Sequence, residues 1–210
     1  MLNNAKNKLL EKPEMYNLFQ RIISKHGSTT KYFIDNYVLP LSPKSIFEIG
    51  CDTGNSLQYL PENINYTGID ISSNYIDFAK NKYGNRGDFI FGNLLDIEST
   101  IMESFDLILA HGFFHHIDDK LLDRYLEYFQ SYFPQNGYLL SIDPCYVCNQ
   151  NFISKFLVSE DRGNYVRTEK EYSNLLKMHF KEVKSLIRDD LLVVPYHSCI
   201  ISCTGIRSIA

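Results

Sequence analysis

The sequence predicts an α/β domain: a mostly parallel sheet of seven strands, helices on both faces, and a final antiparallel strand. Three observations predict it. Short β-like runs alternate with amphipathic stretches of helical period, the order of strands linked by crossover helices. Most of these runs are continuously apolar, as in strands covered on both sides. The last two, Val183–Arg188 and His197–Thr204, are separated only by Asp189–Tyr196, so they can pair as an antiparallel hairpin.

The core strands are predicted at Ser45–Ile49, Tyr66–Ile69, Phe89–Phe91, Phe105–Ala110 and Tyr138–Ile142. A helix over Asn55–Tyr59 follows the first strand, and one over Asn74–Tyr83 follows Ser72 and Ser73, which are good N-cap residues. Leu121–Phe133 puts Leu121, Leu122, Tyr125, Leu126, Phe129 and Phe133 on one broad apolar face and ends at a Pro-Gln-Asn-Gly turn. Cys145–Tyr165 carries no clear strand and reads as an insertion with a short helix around Phe152–Val158. Thr168 and Glu171 form a capping box opening a helix that runs to about Phe180. Ahead of the core, Tyr16–Ile23 and Tyr32–Val38 read as helices. One domain accounts for residues 1–210: leading helices to 40, a core over 41–143, a cap insertion and helix over 144–180, and a hairpin over 181–205.

Composition narrows the function classes. Of 210 residues, 44% are hydrophobic and 22% charged, so a buried core is expected and disorder is not. A formal charge of -4 argues against a nucleic-acid partner held by a basic surface. No run approaches the roughly 20 apolar residues of a membrane span, and the N-terminus lacks a signal-peptide core, which points to a cytoplasmic protein. Five cysteines, an odd number in a chain of this length, are expected to be reduced. Cys145 and Cys148 form a CxxC, and Cys199 and Cys203 a looser pair. Their β-like setting favours small buried hydrophobes over zinc, so no metal is expected.

The first strand runs into Gly50, and Gly54 follows four residues later at the mouth of a helix. Glycines there let backbone turn sharply and approach a ligand. Alone they also fit an ordinary strand-to-helix turn. Asp70 adds a carboxylate at the end of the second strand, about 20 residues on, the spacing that serves ribose hydroxyls. A helix cap or a solvated loop acid is its plainer role. Together the two features point to a nucleoside. Asn93 then ends the third strand with a group able to bond an adenine edge, and Phe105–Ile117 supplies a fourth strand and a loop carrying His111, His115 and His116.

With those segments in order, roughly over Ser45–Asp143, the chain resembles the class I S-adenosylmethionine-dependent methyltransferases, whose fold is Rossmann-like. Their first loop reads acid-x-Gly-x-Gly-x-Gly, matched by Glu48, Gly50 and Gly54, with Asp52 replacing the middle glycine. The resemblance implies S-adenosyl-L-methionine as cofactor. It implies that Glu48 braces the loop or reaches the cofactor's amino group through water, that Gly50 and Gly54 lie under the methionine part with Cys51 also at the cofactor, and that Asp52 faces the ammonium group. Asp70 would hold the ribose, with Ile71 against the adenine. Asn93 would accept from the adenine amino group where the family usually has Asp, Leu94 would add apolar contact, and backbone at Ala110 would approach the sulfonium. Segments around Asp143, Asp161–Thr168 and Pro195–His197 resemble a bacterial small-molecule subset.

Residues at the carboxyl ends of the strands are candidates for catalysis: His115, Asp143 and His111, a histidine being able to act as base near neutral pH. His116 reads instead as the ring of an adjacent pair that ties down the loop. For the substrate, Tyr146, Arg162, Tyr165, Arg167 and His197 are candidates, the two arginines suiting an anionic or sugar-like metabolite. Packing and local salt bridges are their plainer roles. The expected activity is methyl transfer to a small molecule, oxygen ahead of nitrogen. A nicotinamide-dependent oxidoreductase would want Gly-x-Gly-x-x-Gly, which Gly50–Asn55 does not supply. A non-catalytic binding module stays open.

Overall fold

Alternate residues of β1 (Ser45–Ile49) are buried on opposite faces of the sheet, Ile46 in one apolar cluster and Phe47 and Ile49 in the other. That double burial is why the run has no polar alternation. A computed structural model describes residues 28–98, 105–134 and 136–207, with Met15, Leu18, Ile22, Ser24 and Lys25. β1 pairs in parallel with β2 (Asn65–Asp70) on one side and β4 (Leu107–His111) on the other. β3 (Asp88–Phe91) extends the sheet beyond β2, and β5 (Tyr138–Tyr146) beyond β4, both in parallel. β8 (Ser198–Ile206) pairs antiparallel with β5, and β7 (Phe180–Arg188) antiparallel with β8. The resulting order is β3-β2-β1-β4-β5-β8-β7. It reverses between β1 and β4, and a crevice at their carboxyl ends is where open α/β sheets bind ligands.

Helices cover both faces. α1 (Thr29–Phe33) and α2 (Ser73–Tyr83) pack over the cluster that contains Ile46, Leu107 and Leu109. α3 (Asp119–Tyr132) and α5 (Glu169–His179) pack over the cluster of Phe47, Ile108 and Leu139. Their starts are set by side-chain caps: Ser72 for α2, Asp118 for α3, and the Thr168–Glu171 capping box for α5. α4 (Phe152–Ser159) follows β5 and leaves Phe152 and Phe156 exposed.

Several boundaries differ from expectation. β5 continues through Asp143 to Tyr146, because Pro144 and Asp143 stay in register with Ser198 and Cys199 of β8. A two-residue strand, β6 (Arg167–Thr168), then pairs in parallel with Cys145 and Tyr146. The segment Asn55–Tyr59 forms only a short 3-10 turn at Leu57–Tyr59. β4 starts late, at Leu107, because the Asp106 carboxylate accepts the Lys44 and Ser45 N–H groups at 2.9 and 3.0 Å. α1 passes into a π-helical turn at Ile34–Val38 rather than one regular helix over Tyr32–Val38. Of the helix expected over Tyr16–Ile23, Leu18 and Ile22 are helical and the remaining positions lie outside the described residues. All five cysteines are free, Cys148 exposed and the others buried. Among the described residues no helix is long and apolar enough to cross a membrane.

Candidate active site

At the reversal point lies a cavity of about 470 Å³, within the size range of small-molecule sites. β1 contributes Ile49 and the loop after it Gly50 and Asp52; β2 contributes Ile69 and Asp70. Gly50 has φ +64°, and a Cβ there would lie 2.4 Å from the ring of Phe113, which lines the same cavity. Only glycine fits both the backbone conformation and that approach. Asp52 also has positive φ, 49°, a conformation aspartate tolerates better than most residues. Its N–H donates to Asp70 Oδ2 at 3.0 Å, while Ser72 N–H donates to Oδ1 at 2.8 Å. The Ile71 N–H also bears on this carboxylate, and with about four acceptor positions Asp70 can still accept from a ligand hydroxyl. Burial raises its pKa, against the pull of those backbone bonds.

Ile71, 76% exposed beside Asp70, and Leu94 offer apolar faces for a planar base. Asn93 sits between them and Tyr125, but not as expected. Its Oδ1 accepts from Leu95 N–H at 2.9 Å and from the Tyr125 hydroxyl at 3.3 Å. With both lone pairs engaged, the carbonyl has no room for an adenine amino group. The Nδ2–H side is what remains to address a ring nitrogen. Ile117, Leu121 and Tyr125 complete this wall; the sequence pattern assigns Leu121 and Tyr125 to the helix's core face and carries no signal that they reach a ligand. Ser72 and Tyr75 at the start of α2 are further lining residues that the pattern does not single out.

Other expected cofactor residues serve the loop from behind. Glu48 is buried and accepts from Ser56 Oγ at 2.7 Å and from the Tyr66 hydroxyl. Burial pushes its pKa up to about 8, Tyr66 and Ser56 pulling the other way. It braces the loop and does not line the cavity. Cys51 turns into the core, where a Cβ on Gly68 would meet its Sγ at 2.7 Å. Gly54 packs beneath Phe89 and Tyr83, and Ala110 is fully buried in β4.

The two adjacent histidines sit in opposite surroundings. His115 is behind the cavity wall, its Nδ1 2.8 Å from Asp143 Oδ1 and its Nε2 3.0 Å from Asp161 Oδ1. Burial alone would lower its pKa, but the hydrogen bonds to Asp143 and Asp161 carry it up to about 9. Both of its nitrogens are engaged by carboxylates, and it does not line the cavity. His116 lines the cavity, its ring centroid 4.1 Å from that of His115. Burial, then the neighbouring imidazolium, push its pKa down to about 4. It stays neutral and able to accept a proton. Of the pair, His116 and not His115, against expectation, lines the cavity. Asp143 is 1% exposed and bonded to His115, not open to a ligand. His111 stacks on Phe33 at 5.6 Å, with burial pushing its pKa to about 4. It borders a separate void of about 20 Å³ behind the glycine loop.

Of the expected substrate residues, Arg162 alone lines the cavity. Arg167 is turned inward: its guanidinium donates to the carbonyls of Phe114 at 2.8 Å, Tyr165 at 3.0 Å and Ile117 at 2.8 Å, and pairs with Asp119. It fastens the histidine turn rather than binding an anion. Tyr165 holds the same turn by donating its N–H to the His115 carbonyl at 2.9 Å. Tyr146 ends β5 opposite Thr168, and His197 accepts or donates at 2.8 Å to Ser154 beneath α4.

Residues 47–139, a little under half of the chain, match the family model described as a methyltransferase domain. No curated protein sequence matches the chain significantly. Among solved structures, the mitomycin 7-O-methyltransferase MmcR aligns with 93% of this chain and 60% of its own, at TM-score 0.68 and 17% identity. Human N-acetylserotonin methyltransferase, in complex with S-adenosylmethionine, aligns with 85% of this chain and 52% of its own, at TM-score 0.65 and 16% identity. The plantazolicin methyltransferase BpumL, in complex with S-adenosylhomocysteine, aligns with 82% of each chain at TM-score 0.59 and 21% identity. The chain thus spans little more than half of the first two, and at these identities the likeness is one of fold. Residues 47–139 match a methyltransferase domain, and over most of the chain the fold is one that these solved methyltransferases share.

Proposed function

We propose that the protein transfers a methyl group from S-adenosylmethionine to a hydroxyl oxygen of a small molecule. The observation that carries this reading is the neutral His116 ring facing the same cavity as Asp70. When bound, the cofactor supplies a methyl group already activated on a sulfonium, so alignment provides much of the rate. Asp70 holds the ribose hydroxyls, Ile71 and Leu94 flank the base, and the Asn93 amide donates to a ring nitrogen. His116 accepts the proton that a hydroxyl acceptor loses, a contribution of about a hundredfold or more.

The names of the small-molecule neighbours, a mitomycin O-methyltransferase and an N-acetylserotonin methyltransferase, are in keeping with such an acceptor. A strongly anionic acceptor loses much of its support, since Arg167 is committed to backbone carbonyls. Uncharged phenols and sugar-like alcohols remain the better candidates. Five free thiols fit a cytosolic location.

The test is transfer from methyl-labelled S-adenosylmethionine to a panel of phenols, sugar alcohols and amines. Transfer to a hydroxyl that is lost in His116→Phe, with S-adenosylhomocysteine binding retained, is the expected result. With His116 as base, the rate stays level from pH 8 down to about 5, well below the pKa of an ordinary histidine. Tight cofactor binding with no transfer across the panel would favour a binding module instead.

A further inference from the structure

His115 and His116 are consecutive, yet they point to different places. Phe114–His116 forms a 3-10 turn, in which neighbouring side chains diverge by about a third of a turn. His115 is 4% exposed, whereas His116 is exposed and lines the cavity. The rings still touch, with centroids 4.1 Å apart and planes inclined by 40°.

The His115 ring is pinned from two distant segments. Its Nδ1 lies 2.8 Å from Asp143 Oδ1 and its Nε2 3.0 Å from Asp161 Oδ1. A neutral imidazole has one N–H, so a carboxylate at each nitrogen is satisfied only when both carry a proton. Asp161 is itself immobilised: its Oδ1 accepts from Gly163 N–H at 2.9 Å and its Oδ2 from the Tyr196 hydroxyl at 2.7 Å. Gly163 lies so close that a Cβ would come within 2.1 Å of the His115 ring. Buried charges are costly to assemble, and the backbone of the turn is fastened without them. Arg167 donates to the carbonyls of Phe114 and Ile117, and Tyr165 N–H to that of His115. What the charged cluster adds is a fixed cation against the ring of His116.

We propose that His115 is a positioning residue for His116: pinned between Asp143 and Asp161, it seats the His116 ring on the cavity wall and holds a positive charge against it, so that His116 meets an acceptor hydroxyl as the free base. The inference rests on reading His116 as the proton acceptor. Besides His115, the charges that face His116 are Asp143 of β5 and Asp161 and Arg162 of the segment after α4. Across the cavity stand Asp52, Asp70, Tyr75 and Tyr125. Asp143 and Asp161 favour a proton on His116, but both are bonded to His115, whose charge offsets theirs. Arg162 acts in the same direction as His115.

The experiment reads the protonation of each ring by nitrogen NMR of histidine-labelled protein across pH, beside the pH–rate profile of methyl transfer to a hydroxyl. In wild type His115 should carry a proton on both nitrogens at pH 7 and lose one only above about pH 8, while His116 stays neutral down to about pH 5. His115→Gln, which keeps a donor but not the charge, should raise the His116 midpoint by about one unit. Transfer at pH 5 should then fall to about half of its plateau in the variant, where wild type keeps nearly all of it. A merely structural His115 would lower the rate at every pH and leave the His116 midpoint in place. That result overturns the proposal, and so does a neutral His115 in wild type at pH 7. Should His115→Gln not fold, the wild-type ring states decide alone. The expected ring states with no transfer to any hydroxyl overturn instead the role of proton acceptor given to His116.

Discussion

Asp70 and His115 stand on opposite sides of the β1–β4 reversal, and they are held by different means. Asp70 is fixed by backbone: the N–H groups of Asp52 and Ser72. Asn93 beside it follows the same pattern, capping its own turn through Leu95 N–H. His115 is fixed mainly by side chains from distant segments, Asp143 from β5 and Asp161 from beyond α4, while Arg167 clamps the same turn from β6. The first side is assembled from short loops whose geometry each strand end dictates. The second exists only once the chain after β5 has folded back. Ligand affinity should therefore concentrate on the first side, and folding stability on the second.

The largest expected effect is on affinity. On the proposed reading, Asp70→Ala removes a half-buried carboxylate that would accept from both ribose hydroxyls, and charged hydrogen bonds contribute about 1.5–3 kcal/mol each. Affinity for S-adenosylhomocysteine should drop about a hundredfold or more in a calorimetric titration, while the urea midpoint moves little. A large loss of stability with unchanged affinity would reverse the comparison. His115→Gln should do the opposite. It strands Asp143, whose Oδ2 already lacks a partner, and removes the anchor of Asp161. Breaking a buried pair costs about 3 kcal/mol, which urea denaturation would read directly. Affinity should suffer only through a loosened Arg162.

Stability against pH separates the two sides more finely. Glu48, on the first side, is raised from 4.5 to about 8 by burial. Its proton favours the folded state fully below about pH 4.5, and that stability is lost as pH rises through 8. His115 is raised from 6.5 to about 9, so its contribution is complete below 6.5 and lost as pH rises through 9. Both slopes descend with rising pH, by up to about 1.4 kcal/mol per unit each, but in different windows. Between pH 5 and 6.5 the falling slope of Glu48 opposes the rising slopes of His111 and His116, whose pKa values are lowered to about 4, so Glu48→Gln should steepen the rise in stability there. Between pH 8 and 9 it belongs to His115, and His115→Gln should flatten it. A Glu48→Gln variant whose melting temperature follows wild type between pH 5 and 6.5 would show that the loop is not braced by a protonated acid.

The same division governs what could be read from the sequence. Strand-end residues such as Asp70 and Gly50 are legible because their position follows from the strand and its turn, and the Thr168 capping box because its partners are three residues apart. The histidines were not legible in this way. Whether His115 or His116 faces the cavity depends on Asp161, 46 positions downstream, and no local pattern encodes that encounter. Arg167 misleads for a similar reason: in sequence it is a charged residue of an insertion, in space it is a clamp for carbonyls of the turn after β4. Asn93 is intermediate. Its position is legible, but which of its two polar atoms faces a ligand is decided by Tyr125, 32 positions away.

Tyr125 supplies the smallest test and the one that joins the two sides. It belongs to α3, which starts just after the histidine turn, yet its hydroxyl reaches back to Asn93 at 3.3 Å. Tyr125→Phe keeps the ring stacked on Phe113 and removes only that bond. The loss in stability should be within about 1 kcal/mol, the net worth of an ordinary hydrogen bond. The effect on ligand preference is the sharper measurement. Freed of one donor, Asn93 Oδ1 gains a lone pair able to accept from an adenine amino group. S-adenosylhomocysteine should then bind as well as to wild type or slightly better, and an analogue without the exocyclic amine should lose ground relative to it. If instead the variant weakens both ligands equally, the Tyr125 hydroxyl itself touches the base, and the two sides of the cavity share the ligand more evenly than their construction suggests.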